Sequence, residues 1–543
     1  MNDASRTDRL TSWKAIANHL GCSVRTARRW EAQESLPVHR HMHSAQATVF
    51  AFKAELDAWR SDTAVAPRKS VESTPDRSRV SIAVLPFEYL GGGDKQEDLA
   101  DGFTDEIISD LSKIRRLRVI SRTSSMALRG SRKDARAIGR DLRVDYLLEG
   151  TVRRQDAQLR VAVRLIHAAD DDPRWVENYD GALDDVFSIQ QDIARDIAGE
   201  LRVQLTEGDE RRLSEQAYDD VDIWRAALQA RQAALRWRKD AIDHAVRLLS
   251  NALDKAPDNV ELLAALGRAW LQYREAGIDS SEEPLRQAAA YAQRAADLDP
   301  TSPASLQLKA WLSYAEGRIS DAVRDLQASL ENDWSNPDTL GLLCNCYLIS
   351  GRPARAQPLI EQLIAIDPLT PLTRCLPGWA AVLEGRMEEA IGPYREMFEM
   401  DPGNPMGRLF YVWVLTANGR TDEARQLAES VPDSLRATPP IQIVSLLAGA
   451  SASRSTSEAP PIDAMTEQIV ATSDIFPRFI ADAYALAGDT DRALHWLELA
   501  MDRGFINYPY LAKHNRLLVS LHDDEGFQGL LERARKAWES FDA

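Results

Sequence analysis

Cysteine is scarce in this sequence. There are four in 543 residues (Cys22, Cys344, Cys346 and Cys375), and no two stand as C-x-x-C. That excludes a disulfide scaffold and leaves no zinc-ribbon spacing; free, buried thiols in a reducing compartment are the expectation. No apolar run approaches the ~18 residues that would span a bilayer, so no membrane partner is expected. The opening residues, MNDASRTDRL, are polar where an export signal would be apolar, which points to the cytoplasm. Phosphate-binding glycine motifs are missing too. LGGGD (90–94) follows a strand but has neither G-x-G-x-x-G nor G-K-[ST] spacing. No motif places a nucleophile beside a base, so neither catalysis nor a cofactor nor a metal is expected. Asp101, Asp105 and Glu106 read as acids at a helix start, where they suit the dipole. Asp170, Asp171 and Asp172 read as a hairpin-end loop without calcium-loop spacing.

What is present falls into three parts. The chain carries a net charge of -17, yet residues 1–60 hold nine Lys/Arg against six Asp/Glu and four histidines. A basic head on an acidic body assigns phosphate contact to the head. Residues 61–79 are polar, contain two prolines and have no hydrophobic period, as in a flexible linker. Strand and helix signals alternate over 80–206, and residues 219–543 are almost wholly helical. The expected fold is therefore multidomain: a small head (a winged helix, on the residues that follow), an α/β middle domain of mixed sheet, and an all-α superhelix.

In the head, SWKAIANHLGCSVRTARRWE (12–31) reads as two helices about a turn at Gly21, with Ser23 capping the second. LPVHRHMHSAQATVFAF reads as a short β-wing and FKAELDAWR as a closing helix. His39, His41 and His43 alternate and would share one side of a strand. Residues 10–60 resemble the winged helix-turn-helix heads of the MerR and excisionase type. The resemblance places Arg25, Thr26, Arg28 and Arg29 at the major groove of double-stranded DNA and Arg40 beside its phosphates. Arginine forks match guanine edges and phosphate oxygens, so the chemistry agrees. The alternative is a head that docks protein.

In the middle, SIAVLPF (81–87) and LRVIS (117–121) read as strands, 96–115 and 132–142 as helices. A hairpin turned at DAQ joins 146–154 to 159–168, and a last helix runs from about Val186 to Leu205. These motifs resemble the TolB amino-terminal-like domain, which is also found behind DNA-binding heads or adenylate cyclase domains and ahead of tetratricopeptide repeats.

In the last part, Gly317, Gly351, Gly385 and Gly419 stand 34 residues apart, each followed by Arg. Five residues after each glycine comes Ala322, Ala356, Ala390 or Ala424, and Pro368 and Pro402 lie twelve beyond two of these. The glycine ends a first helix, the alanine lets two helices cross closely, and Asp-Pro closes the second. The period resembles the tetratricopeptide family. Ala245 and Pro257, Ala288 and Pro300, and Gly488 with Ala493 mark further repeats, and SASRSTSEAPP reads as an exposed loop. Such arrays bind a protein or peptide in a concave groove. The whole reads as a transcription regulator, and short operator half-sites make a homodimer the expectation.

Overall fold

Ser12 begins the head's first helix by accepting a hydrogen bond from the Ala15 amide at 3.2 Å. The helix, α1 (Trp13–Leu20), buries Ile16 and Ala17 against Leu36, Ala51 and Leu56. Strands β1 (Arg9–Leu10), β2 (His39–His43) and β3 (Gln46–Phe52) form a sheet in the order β1-β3-β2, antiparallel throughout. The structure, a computed structural model, describes residues 9–20, 36–43, 46–53, 55–56, 79–91, 97–452 and 462–541. The expected second helix, all but Arg79 of the linker expected over 61–79, most of the closing helix and residues 453–461 of the SASRSTSEAPP stretch lie outside them; its first two residues, Ser451 and Ala452, end a helix rather than begin a loop. The chain divides into two units, residues 1–75 and 76–543.

The second unit opens with β4 (Val80–Val84), buried on both faces as the middle strand of a parallel group must be. β5 (Glu88–Tyr89), α2 (Glu97–Ser112), β6 (Leu117–Val119), α3 (Arg122–Met126) and α4 (Ala135–Leu142) follow. Next come β7 (Tyr146–Gln155), β8 (Gln158–His167), β9 (Asp172–Ala182) and α5 (Val186–Glu200). The sheet order is β6-β4-β7-β8-β9, with β4 parallel to β6 and β7 and the rest of that path antiparallel. Alternation sorts the two faces. Ile82, Val84 and Leu148 meet α2 and α5, whereas Ala83 and Leu147 meet α4.

Three expectations shift here. β9 was not foreseen. The last helix stops at Glu200 rather than Leu205, because Arg202 takes a left-handed backbone (φ 54°). A separate helix, α6 (Glu207–Ser214), then starts on a reciprocal cap: the Asp209 amide donates to Thr206 Oγ1 (3.2 Å), and the Thr206 amide to Asp209 Oδ2 (2.9 Å).

The helical array runs α7 (Val221–Ala234), α8 (Lys239–Lys255), α9 (Val260–Glu275), α10 (Glu283–Leu298), α11 (Pro303–Ala315) and α12 (Ile319–Asn332). It continues α13 (Pro337–Ile349), α14 (Pro353–Ile366), α15 (Pro371–Leu383), α16 (Met387–Met400), α17 (Pro405–Ala417) and α18 (Thr421–Glu429). The two-period gap before Gly488 holds another pair, α19 (Pro439–Ala452) and α20 (Ala464–Ala471). Then follow α21 (Phe476–Ala487), α22 (Thr490–Asp502), short turns over 510–521, and α23 (Glu525–Ser540). The four periodic glycines all adopt positive φ, between 71° and 81°, and the four crossing alanines are fully buried.

Candidate functional site

In the head, the described residues place one of the five expected DNA contacts. Arg40 lies on β2, its backbone opposite Val49 of β3. Arg25, Thr26, Arg28 and Arg29 lie outside the described residues. A hairpin stands where the β-wing was expected, and His39 stacks on Phe50 with ring centroids 5.2 Å apart. His39 Nε2 is 2.6 Å from Glu55 Oε2. Among the described residues no group of His, Cys, Asp or Glu could hold a metal ion.

In the middle domain, Asp105 and Glu106 do not start a helix. They lie midway along α2, which begins at Glu97, and the dipole argument falls away. Asp105 is buried and paired with Arg122, while Glu106 accepts from Trp224 Nε1 of α7 at 3.0 Å. Burial pushes the Glu106 carboxyl up to about 7, helped by the nearby Asp110. Gln229 and Gln232 of α7 donate to Asp98 (3.0 Å) and Asp101 (3.3 Å). Asp98, Asp101 and Glu106 thus fasten the α/β domain to the first array helix, while Asp105 is paired inside the domain.

A second joint lies further along the array. The Ser121 amide donates to the Ile366 carbonyl (2.7 Å), and Arg118 donates to the Ala365 carbonyl (2.6 Å). Asp367, of the expected Asp-Pro motif, is buried and accepts from Ser121, from Ser124 (2.8 Å) and from Thr373 (3.0 Å). Arg115 and Arg212 stand on the Trp334 ring, 5.0 and 5.1 Å from its centroid. Asp367 thus both follows a repeat helix and anchors another domain.

The repeats differ between first and second helices. α14 buries one stripe (Ala356, Ile360, Leu363, Ile366), as an amphipathic surface helix should. α17 buries every residue from Gly407 to Ala417, so both of its faces are covered. Residues 474–541 supply that second cover. Trp413 Nε1 donates to Asp482 at 2.8 Å, and Phe479 meets the Trp413 ring edge-on at 5.0 Å. Arg478 lies 4.2 Å over Trp379, and Tyr314 bonds Asp474. The Ile506 amide donates to the Ile349 carbonyl (3.1 Å), and Asn507 Nδ2 to that of Leu348 (2.9 Å). Arg352 stacks on Trp538 (4.7 Å) and donates to its carbonyl (2.7 Å). Along these repeats the first helices face the chain itself. A shallow recess of about 310 Å³ remains open, lined by Tyr411, Leu415, Glu423, Gln426, Leu427 and Ser430.

Cys344, Cys346 and Cys375 are free and buried, as expected, and burial pushes the Cys344 and Cys375 thiols up to about 12. That suits packing rather than nucleophilic chemistry.

The family description "HilA/YgeH-like transcriptional regulator, second domain" matches residues 78–196, and the tetratricopeptide repeat family matches 313–372 and 381–448. The chain thus carries a regulator domain of that kind and tetratricopeptide repeats. A protein of Rhizobium meliloti (strain 1021) named "Putative adenylate cyclase 3" is 35% identical over 239 residues, which is 44% of this chain and 41% of that protein. This chain therefore spans less than half the length of that relative. Among solved structures, a thermophilic TPR protein of Thermus thermophilus is 18% identical with a TM-score of 0.30, over 35% of this chain and 98% of its own. A tetratricopeptide repeat protein from Parabacteroides merdae is 13% identical with a TM-score of 0.32, over 57% and 99%. No helix among the described residues is long and apolar enough to cross a membrane.

Proposed function

We propose that this protein is a DNA-binding transcription regulator. The observation that carries the reading is the match of residues 78–196 to the second domain of transcriptional regulators, directly behind a basic head. In this reading residues 1–60 form a winged helix-turn-helix. Arg25, Thr26, Arg28 and Arg29 enter the major groove and Arg40 meets phosphate. The middle domain, TolB-like in its motifs, joins the head to the array. The repeats receive a protein or peptide partner on a surface outside the stretch covered by residues 474–541, and two chains act together on paired half-sites. We read the chain as non-catalytic: the cyclase activity in the relative's name belongs to that protein, of which this chain spans less than half.

The test is the salt dependence of binding between the full chain and genomic DNA fragments, beside an Arg28→Ala/Arg29→Ala variant. Each neutralised phosphate adds about 0.9 to the slope of log affinity against log salt. A steep slope, a preferred fragment and at least a tenfold loss in the variant are expected. Absence of binding at low salt overturns the reading and makes the head a protein-docking unit.

A further inference from the structure

The sheet of the α/β domain has two unlike edges. On the β6 side, the Arg118 guanidinium and the Ser121 amide just beyond the strand bond to carbonyls of the repeat array, so the array packs beside that edge. On the other side lies β9, eleven residues long, and among the described residues no strand pairs with its outer side. Val176 in its middle is 59% exposed. A strand's outer row of N–H and C=O groups is a template for another strand.

We propose that β9 is the surface through which two copies of this chain pair, antiparallel and strand to strand. The sequence of β9 is self-complementary in one frame. A two-fold axis through Glu177 sets Arg174 opposite Asp180 of the second copy, Trp175 opposite Tyr179, and Val176 opposite Asn178. Each of these pairs occurs twice, as an isologous interface requires. Opposite charges and aromatic pairs are the cross-strand combinations that stabilise a sheet. Neighbouring frames lose this: an axis at Asn178 sets Val176 against Asp180 and Trp175 against Gly181. An axis at Val176 sets Trp175 against Glu177 and Asp172 against Asp180. Asp180 already accepts from its own Arg160 (2.5 and 3.0 Å), but each carboxylate oxygen has a second lone pair for the incoming arginine. Pro173 lacks an N–H, and the register against β8 shifts so that Arg174 has no partner there; Arg174 also reaches Asp170 and Asp172 of its own copy (both 3.2 Å), so its pair with Asp180 stands at the end of the paired stretch. Glu177 meets its own copy, the single like-charge contact of the frame. The pairing stands on the strand alone; its use in bringing two heads to one operator rests on the DNA-binding reading.

The test uses the full chain with Cys22→Ser. Opposed residues in an antiparallel pair have Cα atoms roughly 4.5–5.5 Å apart, within disulfide reach. Glu177→Cys should therefore link to its own copy under mild oxidation. Arg174→Cys should not, because six residues along a strand place its two copies about 20 Å apart. Light scattering of reduced protein should show a dimer whose dissociation constant falls about two- to fivefold in Glu177→Gln and rises about tenfold in Arg174→Glu, as cross-strand charge pairs predict. Unchanged melting of both variants keeps the comparison clean. A chain that stays monomeric at every concentration overturns the proposal. So does a dimer that ignores both charge variants and does not link through position 177, though a dimeric regulator would then survive. Pairing through β9 without DNA binding would leave the proposal standing and remove the DNA-binding reading.

Discussion

Gly351 and Gly419 occupy the same corner of two repeats, with φ of 71° and 72°, yet their surroundings have little in common. A Cβ at Gly351 would meet Trp538 Nε1 at 2.8 Å and Asn507 Oδ1 at 2.9 Å; at Gly419 it would meet nothing within 4 Å. Gly317 and Gly385 belong with Gly351, lying against Asp502 and His514. The left-handed turn is a local need of the repeat, identical in all four. The cover over three of them is a tertiary choice made by residues far along the chain.

The largest effect should come from Gly317→Ala. Its Cβ would stand 2.6 Å from the Asp502 carbonyl oxygen, which is backbone and cannot swing aside. Left-handed strain and overpacking together should cost about 3 kcal/mol, read as a lower urea midpoint. Asp482 sharpens the contrast through pH. It is buried between Trp413 and Asn515, and burial pushes its carboxyl up to about 6 from 3.8. A raised carboxyl favours the protonated folded state, so its contribution is full below pH 3.8 and is lost as pH rises through about 6. Relative to Asp482→Asn, the wild type should lose about 2–3 kcal/mol across that window. A pH-independent difference between the two would remove Asp482 from the account. The smallest effect is Gly419→Ala, where only backbone strain remains, about 1 kcal/mol. Equal costs at Gly317 and Gly419 would mean that the cover adds nothing to the corners.

The period made the repeat corners legible because glycine, alanine and Asp-Pro each answer a local demand. The buried faces of α2 and β4 were legible for the same reason. β9 was not: in DPRWVENYDGA the face turned to the core carries Trp175 and Tyr179 with Glu177 between them, so no apolar alternation shows. α6 is too polar to show a helical stripe and is announced by its cap, Thr206 with Asp209. Asp105 and Glu106 were misplaced by assigning them to a helix start, when the signal was Trp224 and Arg122, distant in sequence and adjacent in space. The cover from residues 474–541 leaves no local trace, since aromatic and apolar residues on both faces of α17 fit any buried helix. Of the candidate site, the sequence named five polar residues of the head, and the described structure reaches the backbone of one, Arg40.

The bond from Arg352 to Trp538 spans 186 residues. On a ribosome adding about 5–20 residues per second, the second partner follows the first by roughly 10–40 s. Within that interval the aromatic faces of α15 and α17 are synthesised and stay unclothed until residues 474–541 follow. A nascent chain of this protein is therefore a client for chaperones that hold exposed aromatic surface, and it ceases to be one when its own closing helices arrive.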